Sequence, residues 1–432
     1  MLKRLKIRQH FQIFNDTSNA CADSGKIWDF TIETNSGVYN KMSKRILVVI
    51  LSIFVSAVAS ALAPNQITVK LNGGHFGNSP NLATVSVTIC EPNTDKCQKI
   101  NDIQLDTGST GLRIFKSSVL TGFNLKLPHA TLAGKNAYEC ADFGLGDKVW
   151  GSVRYADVQI GGELAKNLRI QIQNTQNYTK HCPASGSGIS DTNINGILGI
   201  NPAPDDNLDA NYFLCLNNGN SKCVLQTQPT RQVATQNPVY KFPLDNNGYS
   251  IEFPTVKSPE HRITGTLTFG INTERNNRLS SSIKRFSMFP SDSTGYIIAK
   301  LDGRKIGTLI DSGTNMNVLP TIKGLRVCAF YGKWHDSSTC PLKHFKIPIT
   351  LLGIHPQKVF ISASSVDFNN YKQFAALPGF TFANSKASTL ILGVPFFFGK
   401  RIYFDILNHD NPKDPYLVQG NIAIMKSTNF TN

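Results

Sequence analysis

The sequence predicts an all-β chain of two lobes, and three observations carry that reading. Short runs rich in Val, Ile, Thr, Phe and Tyr recur along the chain: TVSVTI (84–89), VRYADVQI (153–160), YSIEF (249–253), GTLTFGI (265–271) and GYIIAKL (295–301). Gly, Asn, Asp and Pro separate them, which is the punctuation of strands rather than of helices. The chain has 432 residues, 41% apolar and 17% charged, enough for two compact lobes and not the composition of a disordered protein. Finally, two segments nearly repeat each other: IQLDTGSTGLRI (103–114) and TLIDSGTNMNVL (308–319). Each is an apolar strand that runs into Asp-Thr/Ser-Gly-Ser/Thr and then turns apolar again, with Asp106 and Asp311 in the same place.

A second pair of segments supports the duplication. INGILGINP (194–202) follows the first motif and TLILGVPFF (389–397) follows the second. This is a repeat of architecture, not a tandem solenoid repeat. The boundary is expected between residues 250 and 275, where FPTVKSPEHRI is polar and carries Pro. The expected lobes are residues 64–255, with Asp106, and 256–432, with Asp311. Residues 217–238 read as a long surface loop pinned by Cys215 and Cys223.

The N-terminal part reads as a targeting segment. KRILVVILSIFVSAVASALA (44–63) has a basic start, an apolar run and small residues at its end, the order of a secretory signal peptide. Met42 stands just before it, so residues 42–63 are taken as the signal and 1–41 as a doubtful leader or mis-start. An uncleaved membrane anchor is the alternative, and the small residues favour cleavage. Little chain lies between the expected cleavage site and the first strands, ITVKL (67–71) among them, so no conventional propiece is expected.

The cysteines agree with export. Cys21 lies in the leader, and the other eight are an even set. Cys90/Cys97, Cys215/Cys223 and Cys328/Cys340 form close pairs and leave Cys140 with Cys182, although spacing alone does not fix connectivity. There is no CxxC or HExxH, so no metal and no cofactor is expected. Net charge is +15, but Lys and Arg are spread along the chain without a basic tract, which reads as surface electrostatics and not as a nucleic-acid interface.

One D-[ST]-G-[ST] tetrapeptide means little: a chain of this size carries one by chance about 2% of the time. Two copies, each at the end of an apolar strand and each with its own Ile-Leu-Gly partner, argue for paired chemistry. Gly108 and Gly313 allow backbone to approach a carboxylate. Thr107 and Ser312 are placed to hydrogen-bond to the opposite loop, and Ser109 and Thr314 to donate to the outer carboxylate oxygens. Two carboxylates about 3 Å apart share one proton, so that one member can take a proton from water while the other polarises a carbonyl. SGSGIS (185–190) lacks the G-x-S-x-G spacing of a serine hydrolase and reads as loop.

On these residues the chain resembles the pepsin family of aspartic proteases, and is most similar to a bacterial group of pepsin-like proteins. LDTGSTGLRI and LIDSGTNMNVLP resemble the two active-site loops, NGILGI and LILGVPFF the elements that cross beneath them, and GSVRYADVQIGG (151–162) the strand after the flap. The resemblance covers roughly residues 66–425. It implies a bilobal pepsin-like β fold with a peptide cleft between the lobes, catalytic Asp106 and Asp311, and Thr107, Gly108, Ser109, Ser312, Gly313 and Thr314 as their support. It implies an exported endopeptidase, periplasmic or extracellular, acting as a monomer on a peptide or protein substrate, with no stable membrane insertion after signal cleavage. Two departures stand out. Arg113 occupies the place of a family Trp, and no Tyr stands at the flap position, where Gly144 falls with Phe143 beside it and Trp150 nearby. Phe143 and Trp150 are therefore the candidates to cover a substrate. A non-catalytic binding or inhibitor protein on the same scaffold is the alternative.

Overall fold

The computed structural model describes residues 62–115, 122–143, 147–173, 182, 194–206, 210–216, 221–226, 231–288, 295–320, 322, 345–353, 355–363, 371–384, 387–406 and 420–427. Residues 42–61 of the signal segment, Cys328 and Cys340 lie outside them. Among the described residues no helix is long and apolar enough to cross a membrane.

The fold is almost entirely β and bilobal, built on two sheets. The first half contributes β1 (Gln66–Leu71), β2 (Ala83–Cys90), β3 (Cys97–Asp106), β4 (Thr110–Ile114), β5 (Thr131–Leu132), β6 (Lys135–Asp142), β7 (Lys148–Ile160), β8 (Glu163–Gln173), β9 (Gly196–Ile200), β10 (Ala210–Leu216) and β11 (Ser221–Leu225). These join β12 (Gly248–Glu252), β13 (Ile263–Phe269), β14 (Arg285–Ser287), β22 (Lys400–Ile406) and β23 (Gly420–Lys426) in one sixteen-stranded sheet. The second sheet has seven strands: β15 (Ile297–Leu301), β16 (Arg304–Ile310), β17 (Asn317–Pro320), β18 (Phe345–Leu352), β19 (Gln357–Ala363), β20 (Thr381–Asn384) and β21 (Leu390–Leu392).

Burial explains the strand sequences. On β2 the apolar side chains Ala83, Val85, Val87 and Ile89 are buried while Ser86 and Thr88 are only partly so, the alternation of a sheet with one face inward. β4 and β9 are buried at every position, so they read as continuous small and apolar runs, TGLRI and GILGI, without alternation. One apolar cluster takes in residues of both sheets, from Val69 and Leu105 to Ile310, Ile361 and Leu392.

The repeat in sequence is a repeat in topology. β9 runs parallel to β3, with Leu105 opposite Leu198 and Asp106 opposite Gly199, and antiparallel to β4. β21 runs parallel to β16, with Ile310 opposite Leu392, and antiparallel to β17. In each half the apolar-apolar-Gly strand thus fills the gap between the strand that enters an Asp turn and the strand that leaves it. The FPTVKSPEHRI segment connects β12 to β13, which are antiparallel neighbours in one sheet, and β13 pairs in turn with β1.

Residues 217–238 differ from the expected surface loop. Residues 221–225 form β11, paired with β10 so that Cys215 faces Cys223. Val233, Ala234, Thr235 and Asn237 are buried, the last capping the 3₁₀ turn Pro238–Lys241. The polar composition that suggested solvent instead supplies buried hydrogen bonds: Asn237 Nδ2 donates to the carbonyls of Asn201 and Ala203 at 2.8 and 3.2 Å.

Three disulfides are present among the described residues: Cys90–Cys97, Cys140–Cys182 and Cys215–Cys223. The first and third close hairpins of 7 and 8 residues' separation, whereas Cys140–Cys182 spans 42. Because a longer loop gains more freedom when opened, replacing both Cys140 and Cys182 by Ala should destabilise the protein by about 2–4 kcal/mol. Replacing Cys90 and Cys97 should cost less, and denaturant unfolding of the two double variants measures the difference.

Candidate active site

Asp106 ends β3, and Asp311 follows directly on β16. Both are nearly buried, 7% and 8% exposed. The two turns bind their carboxylates alike. Gly108 N–H donates to Asp106 Oδ1 at 2.7 Å and Ser109 Oγ to Asp106 Oδ2 at 2.5 Å. Gly313 N–H donates to Asp311 Oδ1 at 2.7 Å and Thr314 Oγ1 to Asp311 Oδ2 at 2.5 Å.

The loops also hold each other. Thr107 N–H donates to Ser312 Oγ at 3.2 Å, and Ser312 N–H to Thr107 Oγ1 at 3.0 Å. Each hydroxyl passes its own proton across: Thr107 Oγ1 to the Ile310 carbonyl and Ser312 Oγ to the Leu105 carbonyl, both at 2.8 Å. All of these groups are buried, where an unpaired hydroxyl or amide costs roughly 1–3 kcal/mol. One further bond was not anticipated from sequence: Gln104 Nε2 on β3 donates to the Gly313 carbonyl at 2.6 Å. Asn81, also unanticipated, donates to the carbonyls of Asn315 and Leu377 at 2.9 and 3.1 Å.

The glycines are required for a reason the motif does not reveal. A Cβ on Gly108 would lie 2.7 Å from Asp311 Cγ, and one on Gly313 2.4 Å from Asp106 Oδ1. Each glycine makes room for the carboxylate of the opposite loop, so any side chain there would push the two acids apart. Gly199 and Gly393 serve the crossing strands: their Cβ atoms would meet the Ser109 carbonyl at 2.8 Å and the Met316 carbonyl at 2.1 Å. In the space so kept, Asn201 N–H reaches the Ser109 carbonyl and Val394 N–H the Thr314 carbonyl, each at 2.9 Å.

Electrostatically the site is a coupled pair. Burial, then the charge of Asp106 and a hydrogen bond with it, pushes Asp311 well above the ordinary carboxylate range. Ser109, Thr314 and the glycine amides stabilise negative charge, but two adjacent ionised acids in so little water are unfavourable, and the pair keeps a proton. Below them Tyr249 on β12 is fully buried, its hydroxyl pushed up first by burial and then by Asp106. No group of three or more metal-ligating side chains occurs among the described residues.

The two proposed covering side chains are placed differently. Trp150 is 4% exposed, stacked on Tyr138 at 5.3 Å and edge-on to Phe213 at 5.3 Å, within the cluster around Cys140–Cys182. It is therefore part of the hairpin's own packing and presents no face to a bound chain. Phe143 is half-buried at the end of the β6–β7 hairpin, with its ring 5.4 Å from the Arg113 guanidinium. The flap position at residue 144 lies outside the described residues.

This fold, with two Asp turns facing each other at the junction of two β lobes, is that of pepsin-like proteins. It is similar to the crystal structure of aspartic proteinase from Irpex lacteus, with a TM-score of 0.50 over 83% of this chain and 96% of that one, at 14% identity. By sequence the chain belongs to the family described as protein of unknown function (DUF3443), whose model matches residues 61–418. No curated protein matches it.

Removing the reciprocal bonds should loosen the junction. Thr107→Val and Ser312→Ala should each cost about 1–3 kcal/mol. Because both act on one network, the double variant should cost less than the sum. Denaturant unfolding of the three variants checks this.

Proposed function

We propose that the protein is an aspartic endopeptidase that hydrolyses peptide bonds with water activated between Asp106 and Asp311. The observation that carries the reading is the near-symmetric pair of buried carboxylates, each served by its own glycine amide and hydroxyl and each lying against the glycine of the opposite loop. A pepsin-like fold supports it. The six-residue support of Thr107, Gly108, Ser109, Ser312, Gly313 and Thr314 around the two acids costs several buried polar groups, an arrangement of little use to a fold that needed only packing.

In this reading the proton of the pair starts on Asp311, in keeping with its raised value. The Asp106 carboxylate takes a proton from a water held between the acids, and the water oxygen attacks the scissile carbonyl carbon. Asp311 gives its proton to the carbonyl oxygen, and a tetrahedral diol forms. As the diol collapses, Asp106 passes its proton to the departing amide nitrogen, Asp311 recovers one from a diol hydroxyl, and the C–N bond breaks. The acids end as they began. Export through residues 42–63, lobes at 64–255 and 256–432, and a monomer facing peptide or protein substrates belong to the same proposal. The disulfides are consistent with an oxidising compartment.

Asp106→Asn and Asp311→Asn should each lower kcat on a peptide substrate by about 10³-fold or more, measured on the mature protein across acid pH. Retained cleavage by either variant would defeat the assignment.

The pH dependence has a definite sign. Asp311 holds its proton more tightly folded than unfolded, so its contribution to stability is complete below the unfolded aspartate range and is lost as pH rises through the raised folded value. Activity, which needs that proton, should decline over the same window. Thermal unfolding midpoints should fall as pH rises above the ordinary aspartate range, and Asp311→Asn should flatten the slope.

A further inference from the structure

Behind the Asp106 loop lies a charged cluster that peptide hydrolysis does not use. Arg113 on β4 is 3% exposed, Glu139 on β6 is 0% and Asp206, beyond β9, is 1%. Arg113 Nε and Nη2 donate to Glu139 Oε1 at 3.0 and 2.6 Å, and Nη2 also donates to Asp206 Oδ2. Nη1 donates to the Thr110 carbonyl at 2.8 Å and the Gly111 carbonyl at 3.4 Å, on its own strand.

The carboxyl groups are held in turn. Thr235 Oγ1 donates to Glu139 Oε2 at 2.5 Å, and the Tyr212 hydroxyl donates to Asp206 Oδ1 while accepting the Thr235 amide at 2.9 Å. Thr235 also lies against Gly111, whose φ is +98° and whose Cβ would meet Thr235 Cγ2 at 2.6 Å. Five segments thus converge on one guanidinium.

Two features argue that the cluster does more than fill space. A buried ion pair is a weak source of stability compared with apolar packing of the same volume. Its bonds also run to particular places. Thr110 follows Ser109, which donates to Asp106, and Glu139 lies on the first strand of the β6–β7 hairpin that ends at Phe143. Arg113 is therefore the direct link between that hairpin and the outgoing limb of the Asp106 turn.

We propose that Arg113 is a positioning residue whose forked contacts with Glu139 and Asp206 couple the order of the β6–β7 hairpin to the setting of Ser109 on Asp106. The coupling to catalysis rests on the reading of Asp106 as catalytic; the mechanical coupling does not. The groups that face Asp206 are Glu139 from β6, Arg113 from β4 and Tyr212 from β10. One cation among two acids leaves the cluster neutral only while it keeps a proton, and burial, then Glu139, pushes Asp206 well above its ordinary range. The clamp is accordingly complete in acid and weakens as that proton is lost.

Hydrogen exchange and kinetics of Arg113→Lys, Glu139→Gln and Asp206→Asn test this. Arg113→Lys keeps the charge and loses the fork. It should raise exchange by about tenfold in both residues 106–114 and 135–153, while residues 297–310 stay within about twofold. On a peptide that the wild type cleaves, its kcat should fall about tenfold with KM changed by less than about threefold. Asp206→Asn carries an amide in place of the protonated acid and should abolish the wild type's loss of protection in these segments as pH rises. A rise confined to one segment, an equal rise everywhere, or an unchanged pH dependence in Asp206→Asn would overturn the proposal. If Arg113→Lys does not fold, Glu139→Gln, which keeps the side-chain volume, is read by the same exchange criteria. A wild type that cleaves no peptide would defeat the protease reading alone, and the exchange results would still decide the coupling.

Discussion

Thr107 and Ser312 each give a backbone amide to the other's hydroxyl and a hydroxyl proton to a carbonyl of the opposite strand. The rest of the site depends on that exchange. It brings together two turns from distant parts of the chain through direct bonds between buried groups. Once the turns are locked, Asp106 and Asp311 have no freedom to separate, and each must tolerate the other. The glycines at 108 and 313 follow from the same constraint, because the opposite acid occupies the space where a side chain would stand. The crossing strands β9 and β21 then fix each turn from below, through the Asn201–Ser109 and Val394–Thr314 backbone bonds.

That dependence shows which parts of the site were legible in the sequence. A carboxylate at a strand end, followed by hydroxyl, glycine and hydroxyl, writes the carboxylate's own hydrogen bonds, since its amide and hydroxyl donors lie within three residues. Its repetition, with an Ile-Leu-Gly element behind each copy, made the paired architecture readable too. Beyond the exchange between Thr107 and Ser312, expected from the paired motifs, long-range partners were not readable. Nothing local in Gln104 or Asn81 indicates a bond across more than two hundred residues. Arg113 looked like a mere departure from a family pattern, because its contacts are with Glu139 and Asp206, which no spacing connects to it. Trp150 looked like a cover because it lies near the hairpin end, but its register on β7 points it into packing with Tyr138 and Phe213.

The polar stretch at 217–238 misled for a related reason. Composition reports how many polar groups a segment carries, not whether they find partners. Thr235 and Asn237 are buried because each is satisfied, the former by Glu139 and Tyr212 and the latter by the Asn201 and Ala203 carbonyls. The molecule thus buries two acid pairs: Asp106 with Asp311 at the paired turns, and Glu139 with Asp206 around a guanidinium. In each pair burial and the neighbouring acid push one aspartate, Asp311 or Asp206, well above the ordinary carboxylate range.

The central claim is that Asp106 and Asp311 share one proton across the junction. Infrared difference spectroscopy across pH, in an Asp206→Asn background that removes the raised carboxyl of the Arg113 cluster, tests it most directly. Glu163 and Asp405, also raised by burial, contribute a background to that band; the account predicts a further protonated-carboxyl component above the ordinary aspartate range that is lost on Asp311→Asn. Ionisation of both acids within that ordinary range, with no band to lose, would contradict it.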